Sequence, residues 1–198
     1  MDELSLTVLI SLRYNQGLRH DAEEKLSEMI YALVHYPDVD TRGINQLREK
    51  YDPQAGWIGP HVTLMFPVPE SVGEDNLVRH IENVLSRWRP FPIHLRGLEK
   101  SWDDYLFLLV REGSESIVRL HDEIYTGVLA GQCREDAAFV PHLTLGVFSK
   151  DAGAYARALE EARRLDLDHR CVVDKLHLVK VNDERSRVVS SREFSLSE

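Results

Sequence analysis

The sequence predicts an α+β domain built from two similar halves, with two antiparallel sheets flanked by helices and a central cleft between them. Short apolar runs of strand length alternate along the chain with longer segments whose apolar residues recur at helical spacing. The same order of elements occurs twice, and each half carries one His-x-Thr-Leu segment directly after a proline. We therefore expect a single bilobal domain over residues 1–198, with halves of about 1–100 and 101–198.

The first half opens with an apolar run at 4–10, which predicts a buried strand. Five apolar residues then follow at the i, i+3, i+4, i+7, i+8 spacing of one helical face: Leu26, Met29, Ile30, Leu33 and Val34. Pro37 ends this predicted helix. Residues 37–60 are rich in Pro, Gly and polar residues, so we expect a mostly surface insertion that contains a short helical piece at 44–50.

The first half continues with a strand at 61–66, a helix whose apolar face spans 77–88, and a strand at 91–98. The second half repeats this order, with elements predicted at 105–110, 117–128, 142–148, 155–165 and 172–181. A last strand near 187–196 is expected to pair with its predecessor across the polar turn 182–186. The first strands start 101 residues apart (4 and 105) and the motifs 81 apart (61 and 142), a difference that the 37–60 insertion explains.

The composition excludes several classes of protein. A formal net charge of -9 argues against a protein that binds long nucleic acid through a basic face. No run approaches the ~18 apolar residues of a membrane helix. The start, Met1-Asp2-Glu3-Leu4, lacks the basic flank of a secretory signal, so we expect a cytosolic protein. Cys133 and Cys171 have neither the number nor the spacing of a disulfide framework or a thiolate metal site.

The two His-x-Thr-Leu segments are the strongest candidates for a functional site. In a strand, alternate side chains point to opposite faces, so His61 and Thr63 share one face and His142 and Thr144 share another. The intervening apolar residues can pack under helices while the polar pairs face a cleft. The proline before each histidine is tolerated at the first position of a strand, where a missing N–H costs least.

Two imidazoles and two hydroxyls across a cleft suit displacement at phosphorus. One histidine can accept a proton from the attacking oxygen while the other protonates the leaving oxygen, since the unperturbed pKa of histidine is ~6.5. Threonine hydroxyls can donate to the non-bridging oxygens. This chemistry requires no metal ion and no cofactor, and the sequence contains no clustered pattern of zinc ligands.

The paired motifs resemble those of the two-histidine phosphoesterase superfamily, the 2′-5′ RNA ligase-like and cyclic phosphodiesterase proteins. Residues 47–53 and 58–61 also resemble the approach to the first motif in bacterial 2′-5′ RNA ligase-like members. The resemblance covers nearly the whole chain. It implies a bilobal fold and substrates with 2′,3′-cyclic, 1″,2″-cyclic or 2′-5′ phosphodiester groups. It implies a metal-independent site of four residues: His61, Thr63, His142 and Thr144.

The leading hypothesis is a phosphodiesterase that opens such a bond on an RNA end or a small nucleotide. Ligation, as the reverse reaction, and a non-catalytic protein that binds nucleotide or RNA phosphate ends are the alternatives. The symmetry of the motifs does not say which histidine is the acid and which is the base. The expected partners are short, with no long duplex and no membrane, and a monomer suffices because one chain carries both motifs.

Other residues carry weaker signals. The seven remaining histidines lie outside the motifs, and we expect structural or solvated roles for them. Trp57, just before the first motif, could stack on a nucleobase or anchor its loop to the core. The anchoring interpretation is the more favoured of the two.

Overall fold

Antiparallel strands form the framework of the chain in the computed structural model, which describes residues 29–101, 104–133, 138–149, 151–182, 184 and 186–197. The described strands are β1 (Ile30–His35), β2 (Val62–Pro69), β3 (Phe91–Lys100), β4 (Tyr105–Val110), β5 (His142–Val147), β6 (His169–Val173), β7 (Lys175–Val181) and β8 (Val188–Ser195). They lie in one sheet in the order β6-β3-β4-β5-β2-β1-β7-β8. Every neighbouring pair in this order is antiparallel.

The predicted pair of separate sheets is therefore wrong, although the α+β class is confirmed. The strands do form two groups of four, but β2 and β5 join them into one sheet. Each motif strand would otherwise be the edge of its group, with unpaired N–H and C=O groups along one side. Pairing the two edges satisfies part of that backbone and places both motifs at the centre of the sheet.

In the part of the chain that the structure describes, four helices cover the sheet: α1 (Arg42–Tyr51), α2 (Glu74–Leu85), α3 (Ser114–Ile124) and α4 (Ala152–Ala162). Their apolar faces and the inward-facing strand residues bury one main core. The order strand, helix, strand, helix, strand occurs twice, over β1–β3 and over β4–β6. The first helix of each half contacts the motif strand of the other half, α1 on β5 and α3 on β2.

The helix predicted around Leu26–Val34 is wrong where the structure describes it, because Ile30–His35 is strand β1. The run Ile-Tyr-Ala-Leu-Val-His is buried at five of its six positions, since β1 lies between β2 and β7. A short, continuous apolar run fits a helical face and a central strand equally well, and only the pairing decides between them. The strand predicted at 4–10 lies outside the described residues.

The segment 37–60 has a counterpart in the other half and is therefore not an insertion, although most of its residues are half-buried or exposed. Helix α1 lies within it, and Ile44 and Leu47 are fully buried in the main core. The segment occupies the same place in its half as 111–141 does in the other, between the first strand and the motif strand. With β1 starting at 30 and β4 at 105, the strands are 75 residues apart and the motifs 81. The second half therefore has the longer connection.

The remaining elements agree with the sequence. The helices predicted around 77–88, 117–128 and 155–165 are confirmed as α2, α3 and α4, and the strands at 91–98 and 105–110 as β3 and β4. The strand predicted over 172–181 is β6 and β7, separated by Asp174. The final hairpin is confirmed, because β8 pairs with β7 along its whole length.

Candidate active site

The two motif strands meet at one antiparallel pair, Val62 of β2 with Leu143 of β5. Both side chains have no exposed surface and belong to the main core. Successive side chains of a strand alternate between faces, so the residues on either side of this pair point away from the core. The core contact of two apolar residues therefore fixes which face carries the polar residues of each motif.

The register sets the four polar side chains beside one another on that face. With Val62 opposite Leu143, an antiparallel register sets His61 opposite Thr144 and Thr63 opposite His142. All four are half-buried. Each histidine therefore lies diagonally across from the other, with a threonine of the other strand opposite it. The structure thus brings together all four residues that the sequence singled out.

Both imidazoles are held in the same way. Nδ1 of His61 donates to the carbonyl of Gly59 at 2.8 Å, and Nδ1 of His142 donates to the carbonyl of Val140 at 2.6 Å. In each motif the acceptor is two residues upstream, with the proline between. A carbonyl only accepts, so the neutral ring carries its proton on Nδ1 and its lone pair on Nε2.

Aromatic rings flank both histidines. The ring of Phe107, the cross-strand partner of Thr144, stacks on His142 with centroids 3.6 Å apart. On the other side Tyr36 meets His61 edge-on at 6.2 Å and His177 at 5.0 Å. These neighbours were missed from the sequence. Alternation in β4 places Phe107 on a face with Tyr105 and Leu109, but only the register with β5 shows which face that is.

The pKa of His61 is lowered to about 4. Burial is the main cause, and the positive charges of Arg48 and His142 act in the same direction. The Gly59 carbonyl and the Asp52 carboxylate oppose them. His61 is therefore neutral at physiological pH, with its Nε2 able to accept a proton.

The chain segments that lead into the two motifs are supported differently. Before the first motif, Arg48 forms a buried ion pair with Asp52 at 2.8 Å and donates to the carbonyl of Ile58. Before the second, Phe139 stacks on His121 with centroids 3.8 Å apart and planes 9° from parallel. The segment before the first motif is thus held by an ion pair, and the segment before the second motif by stacked rings.

A cavity of about 620 Å³ adjoins the second motif. Its wall includes Val140 and Pro141, which directly precede His142, and Leu109, the cross-strand partner of His142. The same wall carries two arginines and three carboxylates, Arg111, Arg119, Glu99, Glu115 and Asp122, and none of the four motif residues. On the other lobe, Trp57 packs against a small apolar cluster of Ala32, Val34, Ile58, Val179 and Val181. This packing favours the anchoring interpretation of Trp57.

Within the ranges that the structure describes, no helix is long and apolar enough to cross a membrane. Over the same residues, no group of three or more His, Cys, Asp and Glu side chains is placed to hold a metal ion.

Comparison with known proteins gives consistent matches. A protein of Bacillus licheniformis named "putative phosphoesterase" is 29% identical over 164 residues, which are 81% of this chain and 95% of that protein. A "putative phosphoesterase" of Bacillus cereus is 29% identical over 138 residues, 68% of this chain and 78% of that protein. The crystal structure of E. coli LigT in apo form covers 87% of this chain and 98% of LigT, with a TM-score of 0.54 and 16% identity.

A central pair of His-x-Thr strands, one from each half of a single antiparallel sheet, defines the class as a duplicated two-histidine protein. A model of the 2′-5′ RNA ligase superfamily matches residues 36–185, which is well over half of the chain. The protein belongs to the 2′-5′ RNA ligase superfamily. This confirms the family resemblance that the motifs carry, and the LigT match confirms the similarity of fold.

Proposed function

We propose that the protein is a metal-independent phosphodiesterase that opens a cyclic (2′,3′ or 1″,2″) or 2′-5′ phosphodiester on an RNA end or a small nucleotide. The observation that carries the proposal is the matched pair of imidazoles at the β2–β5 junction. Each is fixed through Nδ1, and each is followed two residues along by a threonine on the same face. Such a pair can supply both the base and the acid for displacement at one phosphorus atom.

The four side chains divide the reaction between them. One histidine accepts a proton from water as the water oxygen forms its bond to phosphorus. The other donates a proton to the ribose oxygen as the bond between that oxygen and phosphorus breaks. Thr63 and Thr144 donate hydrogen bonds to the non-bridging oxygens, where negative charge develops. Proton exchange with solvent then restores both rings.

The ligands of a structural neighbour support a nucleotide substrate. Among the solved relatives, LigT has been crystallised with 3′-AMP, and that structure matches this chain with a TM-score of 0.52 and 14% identity. LigT has also been crystallised with NADP+ and with ATP.

The relatives support a phosphoesterase, since the two Bacillus proteins are each named "putative phosphoesterase". Because one chain supplies both motifs, a monomer suffices. We expect the protein to act in the cytosol on short substrates and without a cofactor.

The test is turnover of 2′,3′-cyclic nucleotides and of a short RNA that ends in a 2′,3′-cyclic phosphate, in the presence of EDTA. The wild type should hydrolyse at least one of these, and His61→Ala and His142→Ala should each lose ~10²–10⁴-fold in rate. His80→Ala is the matched control, because His80 lies on α2 and binds only the Ile124 carbonyl among its described partners. Binding of the same ligands without turnover by the wild type would instead indicate a non-catalytic binding protein. Turnover that EDTA abolishes would contradict the metal-independent mechanism.

A further inference from the structure

Arg48 is a fully buried cation whose partners are all close to the first motif. Its guanidinium donates from Nε to Oδ2 of Asp52 at 2.8 Å and from Nη2 to the carbonyl of Ile58 at 3.0 Å. The side chains of Arg48 and Asp52 are each only 2% exposed. The other carboxylate oxygen of Asp52 accepts from the backbone N–H of Gln54 at 2.9 Å. The pair thus clamps both ends of the turn that follows α1.

The contacts of Arg48 end at Ile58, one residue before Gly59, whose carbonyl orients His61. Arg48 binds the carbonyl of Ile58, the next carbonyl is that of Gly59, and Gly59 accepts the hydrogen bond from Nδ1 of His61. The backbone between the cation and the imidazole is therefore only a few bonds long. A shift of this turn would move the acceptor of His61 directly.

Fold stability alone is a poor explanation for such a pair. Replacing a buried ion pair by apolar residues of similar volume is often neutral or stabilising, because burying two charges is costly. Helix α1 is already anchored by Ile44 and Leu47 in the main core. The position of the pair beside the first motif supplies a second reason for its presence.

We propose that Arg48 is a positioning residue that fixes the orientation of His61 through the turn 58–60. The inference rests on the proposed function, because His61 is one of the two histidines of that reaction.

Arg48 also affects the charge of His61. Arg48 from α1 and His142 from β5 both disfavour a protonated His61, while Asp52 favours it and only partly offsets them. Tyr36, which follows β1, contacts the His61 ring through its own neutral ring. A test of the positioning role must therefore separate the effect on position from the effect on charge.

The test separates position from charge with three variants. Arg48→Met removes both the hydrogen bonds and the positive charge. Arg48→Lys keeps the charge but lacks the planar guanidinium that reaches Asp52 and Ile58 together. Asp52→Asn leaves the charge of Arg48 uncompensated. Arg42→Met is the matched control, since Arg42 lies on the same helix in an exposed pair with Asp40, and its side chain is 91% exposed. The readouts are the pKa of His61 by NMR titration, and kcat and KM as functions of pH.

We expect Arg48→Met to raise the pKa of His61 and to lower kcat by ~10- to 100-fold, with a smaller effect on KM, because small misplacements of a catalytic group cost about that much. Arg48→Lys should keep the low pKa yet still lose kcat. Asp52→Asn should lower the pKa further. Arg42→Met should change none of these.

Unchanged kcat in folded Arg48→Lys would overturn the positioning role, whether or not Arg48→Met folds. An unchanged His61 pKa in folded Asp52→Asn would overturn the effect of the buried pair on the charge of His61. The titration of His61 does not need turnover. If the wild type were inactive on every substrate, the proposed function would fail, while the effect of Arg48 on His61 would still be measured.

Discussion

Leu47→Ala tests the finding that α1 is part of the main core rather than of a surface insertion. Leu47 has no exposed surface and packs in the main core, on the helix that contacts β5. Truncating a buried leucine to alanine removes its transfer free energy and leaves a cavity, which together cost about 2–5 kcal/mol of unfolding free energy. For a domain with a total stability of about 5–15 kcal/mol, this is a large fraction.

The assay is urea denaturation followed by circular dichroism, with Gln46→Ala as the control. Gln46 is the neighbouring residue on the same helix and is exposed, so its replacement should change stability by less than about 0.5 kcal/mol. With a slope of ~1–3 kcal/mol per molar urea, the midpoint for Leu47→Ala should fall by roughly 1–2 M. Equal midpoints for the two variants would refute the packing of α1.

Three further predictions concern the site and the sheet. The low pKa of His61 means that its ring should stay neutral well below pH 6.5 and gain a proton only as the pH approaches about 4; an NMR titration of His61 with its midpoint near 6.5 would contradict this. Thr144→Val should lower kcat by ~10- to 1000-fold while the fold is kept, since it removes a donor to the developing charge, and unchanged kinetics would argue against that role. Hydrogen bonds from Arg170 and, to a lesser degree, from His94 lower the pKa of Glu112 to about 2. A carboxyl with a lowered pKa stabilises the fold at pH values above its pKa in the unfolded chain, which is about 4.5. That stabilisation is lost as the pH falls toward 2. Wild type should therefore lose more stability than Glu112→Gln between pH 7 and pH 3 in thermal melts, and parallel losses would count against the pairing.

The motifs could be predicted from the sequence because their signal is local. Alternation along a strand places His61 with Thr63 and His142 with Thr144, and it needs no knowledge of the rest of the fold. That the four side chains meet depends on the Val62–Leu143 pair. The repeated order of elements made this meeting expected, since the two halves carry the motifs at matching places.

The errors concern contacts that a local pattern does not contain. The run Ile30–His35 fits one helical face by spacing, but it lies between β2 and β7 and is a strand. Helix α1 has a polar composition, yet its few apolar residues pack against β5, almost one hundred positions away in the sequence. Phe107 and Tyr36 adjoin the histidines through strand register and turn geometry. Only tertiary structure determines these relations.

The central claim is that His61 and His142 act as one unit on one phosphorus atom. The most direct measurement is kcat of His61→Ala, His142→Ala and the double variant, in EDTA, on a cyclic phosphodiester that the wild type hydrolyses. Groups that act together are strongly non-additive. We therefore predict that each single variant loses nearly as much as the double variant. Losses that add independently, or a single variant that keeps wild-type kcat, would contradict the account.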